Sequence, residues 1–290
     1  MGEPDLPLIS SLSNPRVKHI VALNDKKQRD ADGLMLIEGF DPLAMALECN
    51  VPVQTVLFCP TLYKPAHNAG AHAELMQRAR ARVPEVIETT EPVFEKMAYR
   101  DGPDGFLAIA PRPRFELDAL KLNAAHAPLL LVAERVEKPG NLGAMLRTCD
   151  AAGIDAFITV DPVADLTNPN VVRASQGTLF SVPVAQCTRQ QLRDWLKQRN
   201  ILAVATTPND VNGAPPTLFT QFDLTRPCAI LMGEEKYGLS NFWLTSADAA
   251  VKIPMVGRIN SLNVATSAAL VIYEAMRQRI HGFAPSSSTR

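Results

Sequence analysis

Long hydrophobic runs and clustered cysteines are both absent from this 290-residue sequence. No apolar stretch reaches the roughly 18 residues of a membrane-spanning helix, and Met1–Asp5 lacks the charged and then apolar pattern of a signal peptide. The five cysteines form no Cys-x-x-Cys pair, and the five histidines form no His-x-x-x-His pair. We therefore expect a cytoplasmic protein with reduced thiols and no metal site. The cysteines are Cys49, Cys59, Cys149, Cys187 and Cys228.

An excess of charge of either sign is also missing. Lys and Arg total 29 and Asp and Glu total 30, while hydrophobic residues make up 47%. This composition excludes a uniformly basic binder and an acidic disordered chain, and it favours a packed protein of one or two domains. Basic residues cluster between positions 14 and 29, where Asp25 is the one acidic residue. They are Arg16, Lys18, Lys26, Lys27 and Arg29. We interpret the cluster either as a solvated helix face or as a patch that contacts phosphates.

Strand-like and helix-like runs alternate through the first 110 residues, which predicts a small α/β domain. The expected strands span residues 34–39, 54–60, 85–89 and 105–110. The expected helices span residues 41–48, 71–82 and 91–98, and Ser13 with Pro15 suits the start of a further helix. The proline-rich residues 111–115 then lead into a linker, which we place at 113–127.

A second alternating series begins at Pro128. Its strands are continuous apolar runs, which predicts a mostly parallel sheet covered by helices. The expected strands span residues 129–134, 156–160, 201–206, 228–232 and 249–253. The expected helices span residues 142–152, 189–199 (capped by Thr188) and 262–280. We expect residues 283–290 to be a disordered tail.

Two familiar nucleotide-binding motifs are missing. No Gly-x-Gly-x-x-Gly follows a strand, and the P-loop spacing of Gly233 and Gly238 places Leu239 where the phosphate-binding lysine belongs. Three other segments follow predicted strands, at the edge where parallel α/β sheets gather ligands. They are Glu137–Asp150, with a Pro-Gly turn ahead of Arg147, Leu231–Ser240 and Ile253–Thr266.

In this order and spacing, the three segments resemble the signature motifs of the SpoU (TrmH) family of RNA ribose 2′-O-methyltransferases, within the SPOUT superfamily. The resemblance covers about residues 128–282, and Asn168–Gly177 resembles the family's intermediate segment. Ser13–Lys18 and Ile37–Gly39 resemble the substrate-binding extension found in many members.

The resemblance implies an RNA substrate-binding domain of ribosomal-protein-like fold at residues 1–112 and a methyltransferase domain at residues 128–282. It also implies a deep trefoil knot, which pattern reading alone would not suggest. S-adenosylmethionine would bind in the knotted loops of a homodimer. One face of the last helix suits either the dimer interface or packing on the protein's own sheet. This face carries Ala265, Ala268, Ala269, Ile272 and Met276.

Among single residues, the resemblance marks Arg147 as catalytic. Methyl transfer to a ribose hydroxyl needs in-line positioning and stabilisation of the developing alkoxide. A guanidinium keeps its proton at neutral pH, which favours phosphate binding and alkoxide stabilisation over proton abstraction. The predicted catalytic set also includes Asn141, Glu234, Ser261 and Asn263. Asn141 either contacts the ribose or holds the turn. Glu234 either orients Asn141 or Arg147 or satisfies loop amides, and a role as the base is the less favoured alternative. Ser261 is also a candidate helix cap.

The resemblance also implies a cofactor site, to which we add Thr206 and Thr207 at the end of the predicted strand 201–206. The predicted cofactor-binding residues are Thr206, Thr207, Met232, Gly233, Ile253, Met255, Leu262 and Asn263. The predicted RNA-binding residues are Arg16, Lys18, Lys26, Lys27, Arg29, Arg173 and Ser175. For Arg173 and Ser175 a purely structural role is an equal alternative.

The resulting hypothesis is S-adenosylmethionine-dependent 2′-O-methylation of a ribose in structured RNA, with ribosomal RNA favoured by the N-terminal domain. Transfer RNA is the alternative substrate. A non-catalytic RNA-binding protein of the same fold is a second alternative, which the intact catalytic set disfavours. An enzyme with another acceptor is a third, which the basic cluster at residues 14–29 disfavours.

Overall fold

The computed structural model describes residues 6–283, so most of the predicted disordered tail lies outside the described residues. Contacts divide the chain into two compact units. The first unit comprises Met1–Pro113 and Asp165–Ser181, and the second comprises Arg114–Ala164 and Val182–Arg290. The sequence prediction placed residues 165–181 within the methyltransferase domain, whereas their contacts place them in the first unit.

Within residues 6–283, helices and strands alternate along both units. The strands are β1 (Leu8–Ile9), β2 (Leu34–Glu38), β3 (Thr55–Phe58), β4 (Glu85–Thr89), β5 (Phe106–Pro111), β6 (Leu129–Glu134), β7 (Ala156–Val160), β8 (Val184–Cys187), β9 (Leu202–Thr206), β10 (Thr217–Leu218), β11 (Cys228–Met232) and β12 (Ala249–Lys252). The α-helices are α1 (Pro15–Ala22), α2 (Lys26–Asp32), α3 (Phe40–Glu48), α4 (Ala69–Arg82), α5 (Glu91–Met97), α6 (Pro139–Ala152), α7 (Pro169–Ala174), α8 (Arg189–Gln198), α9 (Asn241–Ser246) and α10 (Val264–His281). Short 3-10 helices cover Pro60–Leu62, Leu117–Ala119 and Phe219–Gln221.

The first unit is built on a five-stranded sheet of order β1-β4-β3-β5-β2. Strands β1, β4 and β3 run parallel, and β5 lies antiparallel to both β3 and β2. The four predicted strands are confirmed to within two residues. The two-residue strand β1 was not predicted, because so short a segment shows no period. Helix α1 begins where Pro15 suggested, although Asn14 and not Ser13 caps it, by accepting a hydrogen bond from the Arg16 amide.

Asp165 is the main link that fixes residues 165–181 in the first unit. It accepts hydrogen bonds from Arg29 (2.7 Å) and Arg112 (3.0 Å), and both partners on the first bond are almost fully buried. Farther along this segment, a Cβ on Gly177 would stand 2.7 Å from Met45 Cβ, so the backbone itself packs against α3. Long-range ion pairing of this kind leaves no periodic signal in a sequence.

The second unit contains a seven-stranded sheet of order β10-β12-β9-β11-β6-β7-β8, in which every pair is parallel. The predicted parallel sheet with flanking helices is therefore confirmed. Strands β6, β7 and β11 match their predicted bounds, since each is a continuous buried run. Strand β8 was missed because it is an edge strand with only Ala185 buried.

Helix α10 begins two residues later than predicted, at Val264. Asn263 caps it by accepting hydrogen bonds from the amides of Ala265 (2.9 Å) and Thr266 (3.3 Å). The alternative role of Ser261 as the cap is therefore wrong. No helix in residues 6–283 is both long enough and apolar enough to cross a membrane.

Candidate active site

Strands β12, β9, β11 and β6 are neighbours in the second sheet, and all run in one direction. Their carboxyl ends therefore meet at one edge. The segments that follow these strands, together with the first turn of α10, surround a cavity of about 560 Å³. This edge is where the three sequence motifs converge.

The cavity brings together all eight residues predicted to bind the cofactor. Its lining includes Thr206, Thr207, Met232, Gly233, Ile253, Met255, Leu262 and Asn263. The hydroxyl of Thr206 is buried and has no hydrogen-bond partner within residues 6–283. Because buried polar atoms are nearly always paired, this hydroxyl is a ready partner for a polar ligand.

The loop after β11 folds back on itself, and this explains why a glycine follows the strand. A Cβ on Gly233 would lie 2.1 Å from the Gly238 carbonyl carbon and 2.2 Å from the Leu239 nitrogen. Glu234 and Gly238 close the loop with two backbone hydrogen bonds of 3.1 and 2.9 Å. Buried Glu134, at the end of β6, holds the far end of the loop by accepting hydrogen bonds from the amide (2.8 Å) and hydroxyl (2.6 Å) of Ser240.

Three polar side chains join the motifs in one hydrogen-bonded chain. The Asn141 amide nitrogen donates to Glu235 Oε1 at 2.7 Å, and the Asn263 amide nitrogen donates to Asn141 Oδ1 at 3.0 Å. Asn263 in turn caps α10 through its own oxygen. The chain fixes both amide groups at the cavity wall. Both side-chain amide groups are therefore held in one orientation in the absence of a ligand.

Glu235 supplies the negative end of this chain, and it also lies at the amino end of α6. Its carboxylate accepts from the backbone amides of Glu137 and Lys138, both at 3.4 Å. Partial burial raises the pKa of Glu235, but the hydrogen bonds from Asn141 and from these amides outweigh burial and hold the pKa below its ordinary value. The group is consequently an anion at neutral pH, where it also complements the dipole of α6.

Of the alternatives considered for Glu234, orientation of Asn141 or Arg147 is wrong. Glu234 lines the cavity, but its carboxylate accepts from Arg135 Nε at 3.4 Å and forms no bond to Asn141 or Arg147. The neighbouring Glu235 takes that role. Nothing in the sequence distinguishes two consecutive carboxylates, because the fold of the loop decides which one faces α6.

Arg147 lies apart from these contacts. It is exposed on α6, does not line the cavity and makes no hydrogen bond or ion pair within residues 6–283. Ser261 is also exposed, but it lines the cavity next to Asn263. Four of the five predicted catalytic residues therefore surround the cavity, and the fifth is a free surface cation.

The residues predicted to bind RNA all belong to the first unit. Lys18 and Lys27 are exposed and have no side-chain partner in the described part of the chain. Arg16 pairs with Glu85, and Lys26 pairs with Asp30 at 2.5 Å, both at the surface. Arg173 is half-buried and donates to Asn170 Oδ1 at 2.9 Å.

Two of these RNA predictions are corrected by burial. Arg29 is 1% exposed, and its guanidinium donates to the carbonyls of Leu23 and Asn24 as well as to Asp165. Ser175 is fully buried, and its hydroxyl donates to the Val172 carbonyl at 2.8 Å. Both side chains hold the first unit together and leave no atom for RNA.

The comparison with protein families matches both parts of the chain. Residues 128–273 match the SpoU rRNA Methylase family, and residues 14–108 match the MRM3-like substrate binding domain. The chain therefore belongs to the SpoU rRNA methylase family.

Curated relatives align with nearly the whole chain. The 23S rRNA (uridine(2479)-2′-O)-methyltransferase of Streptomyces viridochromogenes is 31% identical over 268 residues, covering 90% of this chain and 88% of the relative. The 23S rRNA (guanosine(2553)-2′-O)-methyltransferase RlmP of Bacillus subtilis is 29% identical over 272 residues, covering 91% and 97%. A tRNA (guanosine(18)-2′-O)-methyltransferase of Thermus thermophilus is 37% identical over 152 residues, but this covers only 52% of this chain and 76% of the relative.

Solved structures agree over both units. An AdoMet-bound rRNA methyltransferase from Sinorhizobium meliloti has a TM-score of 0.81 at 29% identity, covering 94% of this chain and 98% of that chain. The SpoU methyltransferase AviRb from Streptomyces viridochromogenes, in complex with AdoMet, has a TM-score of 0.79 at 31% identity, covering 93% and 100%.

Proposed function

We propose that this protein transfers a methyl group from S-adenosylmethionine to the 2′-hydroxyl of a ribose in ribosomal RNA. The observation that carries this proposal is the chain Glu235–Asn141–Asn263 at the wall of the cavity, where all three family motifs meet. Ribosomal RNA is favoured over transfer RNA because the relatives that align over about nine-tenths of this chain are named for 23S rRNA.

The residues around the cavity fit S-adenosylmethionine. The unpaired Thr206 hydroxyl offers a hydrogen bond to a polar part of the cofactor, and Met232 and Leu262 offer apolar surface. Glu234 and Glu235 share this lining with Lys138, Lys236 and Lys252, so the cavity offers both signs of charge to a cofactor that itself carries both signs. When bound, this cofactor supplies an activated methyl group on a sulfonium. The eight predicted cofactor residues form the cofactor site of this proposal.

The protein's own task is to hold the ribose in line and to stabilise its oxygen. Asn141 and Asn263 are oriented by their mutual hydrogen bond and by Glu235, so they are suited to position the ribose. Ser261 lies beside them on the cavity wall. Arg147 has an unpaired guanidinium, suited to bind an RNA phosphate or to stabilise the developing alkoxide.

Lys18 and Lys27, with the paired Arg16 and Lys26 and the half-buried Arg173, form the proposed RNA contacts of the first unit. A homodimer belongs to the same proposal, as do a trefoil knot and a cytoplasmic location. The dimer is supported by a stripe of exposed residues along α10, at helical spacing. These are Thr266, Leu270, Tyr273, Arg277 and Ile280. The face predicted from the sequence is instead mostly buried in its own unit, at Ala265, Ala268 and Ile272.

The test of the reaction is transfer of labelled methyl groups from S-adenosylmethionine to purified ribosomal and transfer RNA, followed by nucleoside analysis. We expect a 2′-O-methyl nucleoside in ribosomal RNA. Methylation of transfer RNA alone would replace ribosomal RNA as the substrate. Cofactor binding without transfer to either RNA would support a non-catalytic RNA-binding protein.

Arg147→Ala should lower methyl transfer by roughly a hundredfold or more, as removal of one stabilising donor does in other enzymes. The dissociation constant for S-adenosylmethionine should stay within about twofold, because Arg147 does not line the cavity. Arg226→Ala is the matched control, since Arg226 is another exposed arginine of the second unit. Equal activity of both variants would remove Arg147 from the catalytic set.

A further inference from the structure

The first unit holds a second cavity, of about 650 Å³, that no motif predicted. It lies between the end of β3 and one face of α4. Its wall includes the rings of Tyr63 and His72, the side chain of Met76, and the exposed Ala73 and Gln77. The cavity therefore combines aromatic faces with a mouth on the surface of α4.

Aromatic rings form a continuous stack behind this cavity. Tyr63 is stacked on His72, with ring centroids 4.4 Å apart, and on Phe106 at 4.6 Å with nearly parallel planes. Phe40 meets His72 edge-on at 5.5 Å and is stacked on His67 at 3.9 Å. Because Tyr63 and His72 also line the cavity, a flat ring bound there would meet aromatic side chains.

Two polar groups in this stack lack partners. His72 is 8% exposed, and neither of its ring nitrogens is hydrogen-bonded within residues 6–283. The hydroxyl of Tyr63 is buried and equally unpaired in the described chain. Burial, and then the neighbouring His67, lower the pKa of His72, so its ring is neutral at physiological pH. A neutral imidazole offers one donor and one acceptor.

We propose that this cavity binds an unstacked nucleobase of the RNA substrate. The base would lie against the Tyr63–His72 stack, and its edge would bond to the free polar groups of these two residues. Proteins that recognise RNA in single-stranded loops stack splayed bases on aromatic side chains and bond to their edges in this way. The site deepens the proposed function, and it lies in the part of the chain that matches a substrate-binding domain.

Ala73→Trp is the variant that tests the site. It fills the cavity mouth from an exposed position of α4, without removing any ring of the stack. Ala81→Trp is the matched control, because Ala81 is exposed on the same helix and does not line the cavity. Tyr63→Phe removes only the hydroxyl, and it serves as a second variant in case Ala73→Trp does not fold.

The first measurement is NMR titration of the full chain with AMP, GMP, CMP and UMP in turn. We expect saturable shifts of the imidazole C–H signals of His72, assigned through His72→Gln. Ala73→Trp should abolish these shifts, Ala81→Trp should retain them, and Tyr63→Phe should weaken the binding. If the wild type shows no shifts, the cavity holds only water and the assignment is overturned. If Ala73→Trp retains the shifts, the nucleotide binds elsewhere and the assignment is equally overturned.

The second measurement is the KM for ribosomal RNA in the methyl-transfer assay. Loss of one stacked base should raise KM roughly tenfold in Ala73→Trp, with kcat and cofactor affinity unchanged. An unchanged KM in an active enzyme would overturn the nucleobase site alone. If the wild-type chain transfers no methyl group, the proposed reaction fails, and the nucleotide titration still tests the cavity.

Discussion

Two adjacent carboxylates at the end of β11 have different surroundings. Glu235 is bonded to Asn141 and to the amino end of α6, whereas Glu234 faces the exposed guanidinium of Arg135. Only Glu235 controls the geometry of other motif residues. In the proposed reaction Glu235 is therefore a positioning residue, which would act on the ribose through Asn141.

Glu235→Gln should lower kcat for methyl transfer roughly tenfold, because hydrogen bonds to a charged acceptor are stronger than those to a neutral one. The KM for S-adenosylmethionine should change little. Glu234→Gln is the control and should remain within about twofold of wild type. A reversed order of the two variants would contradict the assignment.

The same group predicts the sign of a pH dependence. Because the folded pKa of Glu235 lies below the ordinary 4.5, its stabilisation of the site is present above that value. The contribution is lost as pH falls through the folded pKa. The kcat for methyl transfer by the wild type should therefore fall at strongly acidic pH, measured as a pH profile, and Glu235→Gln should flatten that limb.

At the scale of single elements, the loop after β11 depends on the absence of a side chain at Gly233. Gly233→Ala would place its Cβ about 2.1 Å from backbone atoms of the same loop, so the loop must shift. We expect a lower melting temperature and loss of S-adenosylmethionine binding. Gly140→Ala is the control, since its Cβ meets nothing within 4 Å in α6 and alanine favours the helix. Equal melting temperatures would show that the loop adapts.

In the first unit, Arg29 and Asp165 form a buried ion pair that ties the segment 165–181 to α2. Burial raises the pKa of Asp165, but hydrogen bonds from Arg29 and Thr167, with the charge of Arg112, hold it below its ordinary value. Arg29→Met should reduce the free energy of unfolding by about 3–5 kcal/mol, the usual effect of removing one partner of a buried pair. Lys26→Met, which breaks a surface pair, should change it by less than about 1 kcal/mol. Urea unfolding of both variants decides between a structural and an RNA-binding role for Arg29.

The elements predicted well are those whose own residues determine them. Strands β6, β7 and β11 are continuous apolar runs, and α8 starts at a complete capping box formed by Thr188 and Gln191. Strand β8 was missed because an edge strand with one buried residue shows no apolar run, and α7 was missed because six residues are too few to show a helical period. The cofactor wall was predictable from three motifs, whereas Glu235, Glu134 and the aromatic cavity were not. Their roles depend on how loops fold.

At the scale of the whole molecule, the near-zero net charge does not show which basic residues are available to bind phosphate. Of the basic residues that the sequence suggested for RNA, Arg16, Lys26 and Arg29 are in ion pairs, and Arg173 is bonded to Asn170. Lys18 and Lys27 have no side-chain partner in the described chain. Phosphate binding is thus expected at a few discrete points.

The stripe on α10 predicts how copies of the chain associate. Tyr273→Glu places a charge between Leu270 and Ile280, the exposed apolar residues of this stripe, so it should convert a dimer into monomers in light scattering. Thermal stability of the monomer should change little, because Tyr273 is half-exposed. Thr245→Glu, on the exposed surface of α9, is the control. A wild-type monomer at working concentration would end the dimer proposal.

The return of residues 165–181 to the first unit has a consequence for how such enzymes change their targets. The chain passes between the units three times, after Pro113, Ala164 and Ser181. A single recombination in the linker would exchange β2 but leave behind α7, the helix that packs against it. Inheritance of a new substrate-binding unit therefore requires two exchanged segments. Point substitution within the existing unit is the simpler route to a new RNA.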